Sequence, residues 1–108
     1  MTATRAWPTL QDAAAFLRDG TGRGVKVAIL DSGVEFAHPQ LRGLAVADDC
    51  AITEEGLEIS AVPGEGRDVF GHGTAIANII HQVSPQAEVG SYACAGLRSL
   101  LVTGAVRN

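Results

Sequence analysis

The run VKVAIL, Val25–Leu30, breaks off at Asp31-Ser32-Gly33, and no other part of the chain constrains the fold as tightly. Apart from Lys26 its residues are apolar, and it is rich in β-branched side chains. That is the composition of a strand covered on both faces, as in a parallel sheet. Asp31 then falls at the carboxyl end of a strand, where open α/β sheets gather ligands and catalytic groups.

Further along, Gly73 opens a segment with helical periodicity. Ile76, Ile79, Ile80 and Val83 recur at helical spacing, Ala75 and Ala77 are small enough for close packing, and Ser84-Pro85 stops the helix. AEVGSYACA, residues 87–95, reads as the next strand. A strand–helix–strand succession predicts an α/β fold with a parallel sheet and right-handed crossovers. Ahead of it, TLQDAAAFLRDG reads as a short helix. Thr9 and Asp12 stand at capping-box spacing, Leu10, Ala13, Phe16 and Leu17 share one face, and Gly20 ends it.

The remaining segments carry weaker signals. VEFAHPQL is a loop in which Pro39 blocks regular structure. LAVADD suggests a short strand, and EEGLEISAVPGEGRD an acidic surface excursion whose charges form a solvated face. GLRSLLVTGAVRN suits the start of a helix or a further strand equally. The expected count is three strands and two helices, divided into an N-terminal helix and linker (1–21), a central domain (22–95) and a tail (96–108).

At 108 residues the chain suffices for one small domain, and with 46% apolar residues it can build a core. The net charge of −4 and the scattered basic residues argue against nucleic acid or an anionic membrane as partner. MTATRAWPTL lacks the apolar stretch of a secretory signal, and no run reaches membrane-spanning length. Cys50 and Cys94, far apart, read as ordinary thiols of a reducing compartment. These features together predict a soluble, cytoplasmic protein.

The chemistry centres on Asp31 and His72. A carboxylate at a strand's end and an imidazole at a helix's start can meet above one edge of a sheet. The carboxylate accepts the Nδ1–H bond and fixes the tautomer, leaving the other nitrogen as general base. Gly71 and Gly73, on either side of His72, leave room for substrate backbone beside the ring. Singly, each residue has a plainer role, Asp31 as a turn former and His72 as a helix cap.

Three motifs in order carry a family resemblance. VAILDSGVEFAHPQL resembles the aspartate motif of the subtilisin-like serine proteases, GHGTAIANII their histidine motif, and SPQAEVGSYA the segment that follows. The order Asp before His also matches that family. The resemblance spans about residues 22–93. It implies a parallel-sheet, three-layer α/β fold, present here incompletely, and a serine endopeptidase that cleaves peptide or protein substrates without a cofactor. It assigns Asp31 and His72 to the catalytic triad and Gly33, Gly71, Gly73 and Thr74 to substrate binding or site support, with Thr74 anchoring the helix. His38 becomes structural or peripheral. Two positions depart from the family pattern. Gln40 replaces the usual aspartate of the His-Pro motif, and Asn78 replaces a glycine, where it would crowd a helix contact.

The family's nucleophile lies in a Gly-Thr-Ser-Met-Ala-like motif, and its oxyanion asparagine lies downstream; neither occurs in these 108 residues. None of Ser32, Ser60, Ser84, Ser91 and Ser99 has that context. The chain alone is therefore expected to be inactive and marginally stable, with a second chain carrying the serine half as one possible partner. Three rival readings follow from the same residues: a degenerate relic that binds a peptide or subunit, a dimeric aspartic protease built on Asp31, and a metal site using His38, His72, His81 or Cys50. The second requires an all-β domain. The third lacks any compact ligand spacing, and no metal is expected.

Overall fold

The computed structural model describes residues 6–94. Thr9 caps the first helix, α1 (Leu10–Asp19), by the reciprocal pair its spacing predicts. The Thr9 hydroxyl accepts the Asp12 N–H at 3.0 Å, and the Asp12 carboxylate accepts the Thr9 N–H at 2.9 Å. Gly20 closes the helix by donating its N–H to the Phe16 carbonyl at 2.7 Å. The apolar face of α1 is bare: Leu10, Phe16 and Leu17 are 90%, 64% and 67% exposed, and no residue of the helix is buried.

Four strands make one sheet: β1 (Lys26–Asp31), β2 (Ala45–Glu55), β3 (Glu58–Pro63) and β4 (Glu88–Ala93), in the order β1-β4-β2-β3. Strand β4 runs parallel to both β1 and β2, and only β2–β3 is antiparallel. The second helix, α2 (His72–Val83), leads into β4 after the chain turns at Ser84. This mostly parallel sheet with helices is the α/β class expected. It is not the all-β domain required by the aspartic-protease reading.

Helix α2 packs on one face of the sheet at its β1–β4 side. Ile29, Val34, Leu41, Ala77 and Val89 form the core there, with Phe36, Leu44, Ile76 and Ile80 packed against it. Burial of each large apolar side chain contributes roughly 1.5–3 kcal/mol. Val34 and Val89 are wholly buried, and Ala77, also fully buried, gives the helix its close approach. Ile79 and Val83 turn outward.

Two expectations change at this point. VKVAIL reads as covered on both faces, yet β1 alternates, with Ile29 buried and Ala28 and Leu30 exposed. Among the described residues α2 is the helical layer on the core side, and β1 and β3 are the edge strands, so the three-layer arrangement is incomplete. The segment expected as an acidic excursion is instead a hairpin, paired from Cys50–Pro63 to Glu55–Glu58. Both of its strands are largely exposed, so its alternation carries no strong apolar signal. The tail at 96–108 lies outside the described residues. No helix among them is long and apolar enough to cross a membrane.

Candidate active site

Strand β1 delivers Asp31 at its carboxyl end, and α2 begins at His72. Oδ2 of Asp31 lies 2.6 Å from Nδ1 of His72, a charge-assisted separation. Oδ1 of Asp31 accepts the Ser32 N–H at 2.7 Å. The carboxylate is 24% exposed and the imidazole 67% exposed, so the ring is held on one side and open on the other. Partial burial pushes the Asp31 carboxyl up, but the Ser32 N–H and the hydrogen bond and charge of His72 outweigh it and hold the group below its ordinary value.

His72 is not the helix cap. That position belongs to Gly71, in the left-handed region at φ 83°, where a Cβ would meet nothing within 4 Å. Asp68 satisfies the helix start instead. Its Oδ1 accepts the Gly71 N–H at 2.8 Å and the Ser32 hydroxyl at 2.7 Å, and its Oδ2 accepts the Thr74 N–H at 2.8 Å. Burial raises this carboxyl, but the Thr74 and Ser32 side chains and the backbone N–H groups of Thr74 and Gly71 bring it down to about 2. An acidic charge here also meets the positive end of the helix dipole.

The glycines divide their work differently from the sequence expectation. Space beside Gly73 is not left for substrate, because the Gly33 carbonyl fills it and any Cβ on Gly73 would collide with that backbone. Gly33 itself is buried at φ 108°, against the Arg67 carbonyl. Gly71 alone keeps an open flank. Thr74 ties the helix to the loop after β1, since its Oγ1 accepts the Glu35 N–H at 2.9 Å.

The other histidines sit apart from this pair. His38 caps the 3₁₀ turn Pro39–Leu41, with Nδ1 accepting the Gln40 N–H at 3.1 Å. His81 is half-buried, its Nε2 3.1 Å from the Arg42 carbonyl oxygen. No group of three or more side chains that could hold a metal ion occurs among the described residues. Asn78 does not crowd α2; its Nδ2 donates to Oε1 of Gln40 at 3.1 Å, so the two departures from the family pattern bond to each other. Both line a groove of about 400 Å³ beside Gly71, with Glu35, Thr74 and Ile79.

Sequence reasoning missed Asp68, which sits at the end of an acidic segment and looks like one more solvated charge. An acid just ahead of a helix start was the available signal. It also left Ser32 without a role beyond its place in the motif. Ser32 is fully engaged, donating to Asp68 and accepting the Gly73 N–H at 3.1 Å. Ser60 lies on β3, Ser84 ends α2, and Ser91 is buried within β4; Ser99 lies outside the described residues.

A profile of the Subtilase family, peptidase S8, matches residues 22–102. The chain belongs to the subtilase family. The match begins just before β1 and takes in the Asp31 and His72 segments together. By family this subtilase is a serine protease, and its sheet is the corresponding α/β sheet in incomplete form. Comparison with curated proteins and with solved structures gave no match.

Proposed function

We propose that this subtilase chain supplies the aspartate and the general base of an Asp-His-Ser triad for hydrolysis of peptide bonds. The observation that supports this best is the 2.6 Å separation of Asp31 Oδ2 and His72 Nδ1 beside a ring that stays accessible. Asp31 keeps the proton on Nδ1, so Nε2 carries the lone pair. Nε2 takes the proton of a serine hydroxyl as its oxygen attacks the substrate carbonyl carbon. Asp31 stabilises the resulting imidazolium, which then returns the proton to the leaving amine. Gly71, open on one flank, is where substrate backbone would approach the ring.

The serine and its oxyanion donors come from polypeptide outside these 108 residues, on a second chain or on further sequence. Among the described residues no serine hydroxyl is hydrogen-bonded to His72, and Ser32, the neighbour of Asp31, is occupied elsewhere. Loss of the nucleophile from such a triad costs about six orders of magnitude in turnover. The 108-residue chain by itself is therefore silent.

Labelling with a fluorophosphonate tests both halves of the proposal. The chain alone should remain unlabelled. Co-expressed with a polypeptide carrying a Gly-Thr-Ser-Met-like motif, that polypeptide's serine should label, and His72→Ala in this chain should abolish it. Labelling of the 108-residue chain alone, or labelling that survives His72→Ala, overturns the proposal.

A further inference from the structure

The hydrogen bonds of Asp68 reach both sides of the Asp31–His72 pair. On the helix side it binds the N–H of Gly71, the residue before His72, and the N–H of Thr74, two residues after it. On the strand side it accepts the hydroxyl of Ser32, the residue after Asp31, whose own N–H is bonded to Oδ1 of Asp31. The Ser32 oxygen in turn accepts the Gly73 N–H. One carboxylate thus gathers the backbone on either side of the imidazole and the neighbour of its aspartate partner.

The Thr74–Glu35 bond and the contact of Gly73 with the Gly33 backbone dock the helix start on the loop after β1, but neither touches the two side chains of the pair. His72 is the first residue of its helix and its ring is largely exposed, so packing does little to fix its orientation. Asp31 ends an edge strand. A hydrogen bond of 2.6 Å across that junction requires the strand end and the helix start to keep a fixed separation. Hydrogen-bonded supports behind a functional pair hold the geometry in which the direct partner can fix the histidine's orientation and tautomer.

We propose that Asp68 is a positioning residue for the Asp31–His72 pair, holding the His72 ring on Asp31 through Ser32, Gly71 and Thr74. This rests on the reading of Asp31 and His72 as the triad pair, and deepens it. A carboxylate is required at position 68 because all three groups it binds are donors. An amide of the same shape offers one oxygen, so its NH2 would face either the Thr74 N–H or the Gly71 N–H, neither of which can accept.

The readout is the tautomer of His72 in the full 108-residue chain, from nitrogen-15 NMR of the imidazole at a pH where the ring is neutral. The His72→Gln variant assigns the signal. Wild type should show Nδ1–H, and Asp31→Asn should lose that signal in favour of the Nε2–H form. Asp68→Asn should lose it as well, at a temperature well below its unfolding midpoint and with Asp31 intact. Ser32→Ala removes the bridge to Asp68 together with the acceptor of the Gly73 N–H and should give a partial loss, which Ser32→Thr, keeping the hydroxyl, restores; these variants decide the matter if Asp68→Asn does not fold. A tautomer insensitive to Asp31→Asn overturns the triad reading itself. A tautomer that follows Asp31→Asn but ignores Asp68→Asn and Ser32→Ala overturns the positioning role alone, because a merely structural Asp68 would lower the midpoint without touching the ring.

Discussion

Asp31 Oδ2 and His72 Nδ1 lie 2.6 Å apart although forty-one positions separate the two residues in the chain. Only the crossover from β1 through α2 brings them together, so the pair is a product of the fold and not of local sequence. Removing its charge should therefore be a sharp test. In an enzyme completed with a serine-bearing half, Asp31→Asn should lower kcat by about ten-thousand-fold with KM changed little, because the amide favours the wrong tautomer while keeping the shape. Initial-rate kinetics on a peptide substrate checks this. A loss under tenfold would show that Asp31 does not support the base.

Acid should loosen the site through Asp68. Its carboxyl is held at about 2 in the folded chain, below its ordinary 3.8. A folded-state value below the unfolded one means that the stabilisation is fully present above about pH 4 and is lost as pH falls toward 2. At neutral pH the shift corresponds to roughly 2 kcal/mol. Asp31, also lowered, adds to the loss in the same direction. Urea unfolding measured across pH 5 to 2 should show a steep decline in wild type and a shallower one in Asp68→Asn, which starts from lower stability. Equal slopes would remove Asp68 as the source.

Those two carboxylates differ in how readily the sequence reveals them. Asp31 follows an apolar β-branched run, and the strand end it occupies is the expected place for a functional group. The α1 capping box and the start and stop of α2 were legible for the same reason, since local chemistry dictates each. Asp68 was hidden because its partners, Ser32, Gly71 and Thr74, become neighbours only once β1 and α2 are docked. The β2–β3 hairpin was hidden for a different reason. Strand β3 is exposed along its whole length and no residue of β2 is fully buried, so no alternation of apolar residues marks them. One signal was available, Gly56 at φ 63° in a two-residue loop between Glu55 and Glu58, the residue type such tight turns require. The bare faces of α1 and β1 belong to neither category. Periodicity shows which face is apolar but not whether anything covers it.

The two glycines around the site should respond to substitution very differently. A Cβ at Gly73 would overlap the Gly33 carbonyl, which is backbone and cannot swing aside, so Gly73→Ala must push α2 away from the end of β1. A cost of about 3 kcal/mol or more is expected, the scale of overpacking with backbone displacement. Gly71→Ala meets open space and carries only the left-handed penalty, about 1 kcal/mol. Thermal unfolding of the two variants should rank them in that order. Equal midpoints would mean that the helix start is not packed on the Gly33 backbone.

The thiols should prove sluggish nucleophiles. On β2, the Sγ of Cys50 donates to Oδ1 of Asp48 at 3.3 Å, and this bond, followed by burial and the charges of Asp48 and Asp49, pushes its pKa up. Cys94 is raised by burial first and by the charge of Asp31 second. Only the thiolate attacks an alkylating agent, so a raised pKa means a smaller reactive fraction near neutrality. At pH 7.5 the folded chain should therefore react with iodoacetamide more slowly at both positions than the same chain in urea. Asp48→Asn removes the acceptor charge from Cys50 alone and should speed that thiol while leaving Cys94 unchanged, as followed by mass spectrometry of the modified peptides. If Cys50 kept its rate in the variant, Asp48 would not be what holds its proton in place.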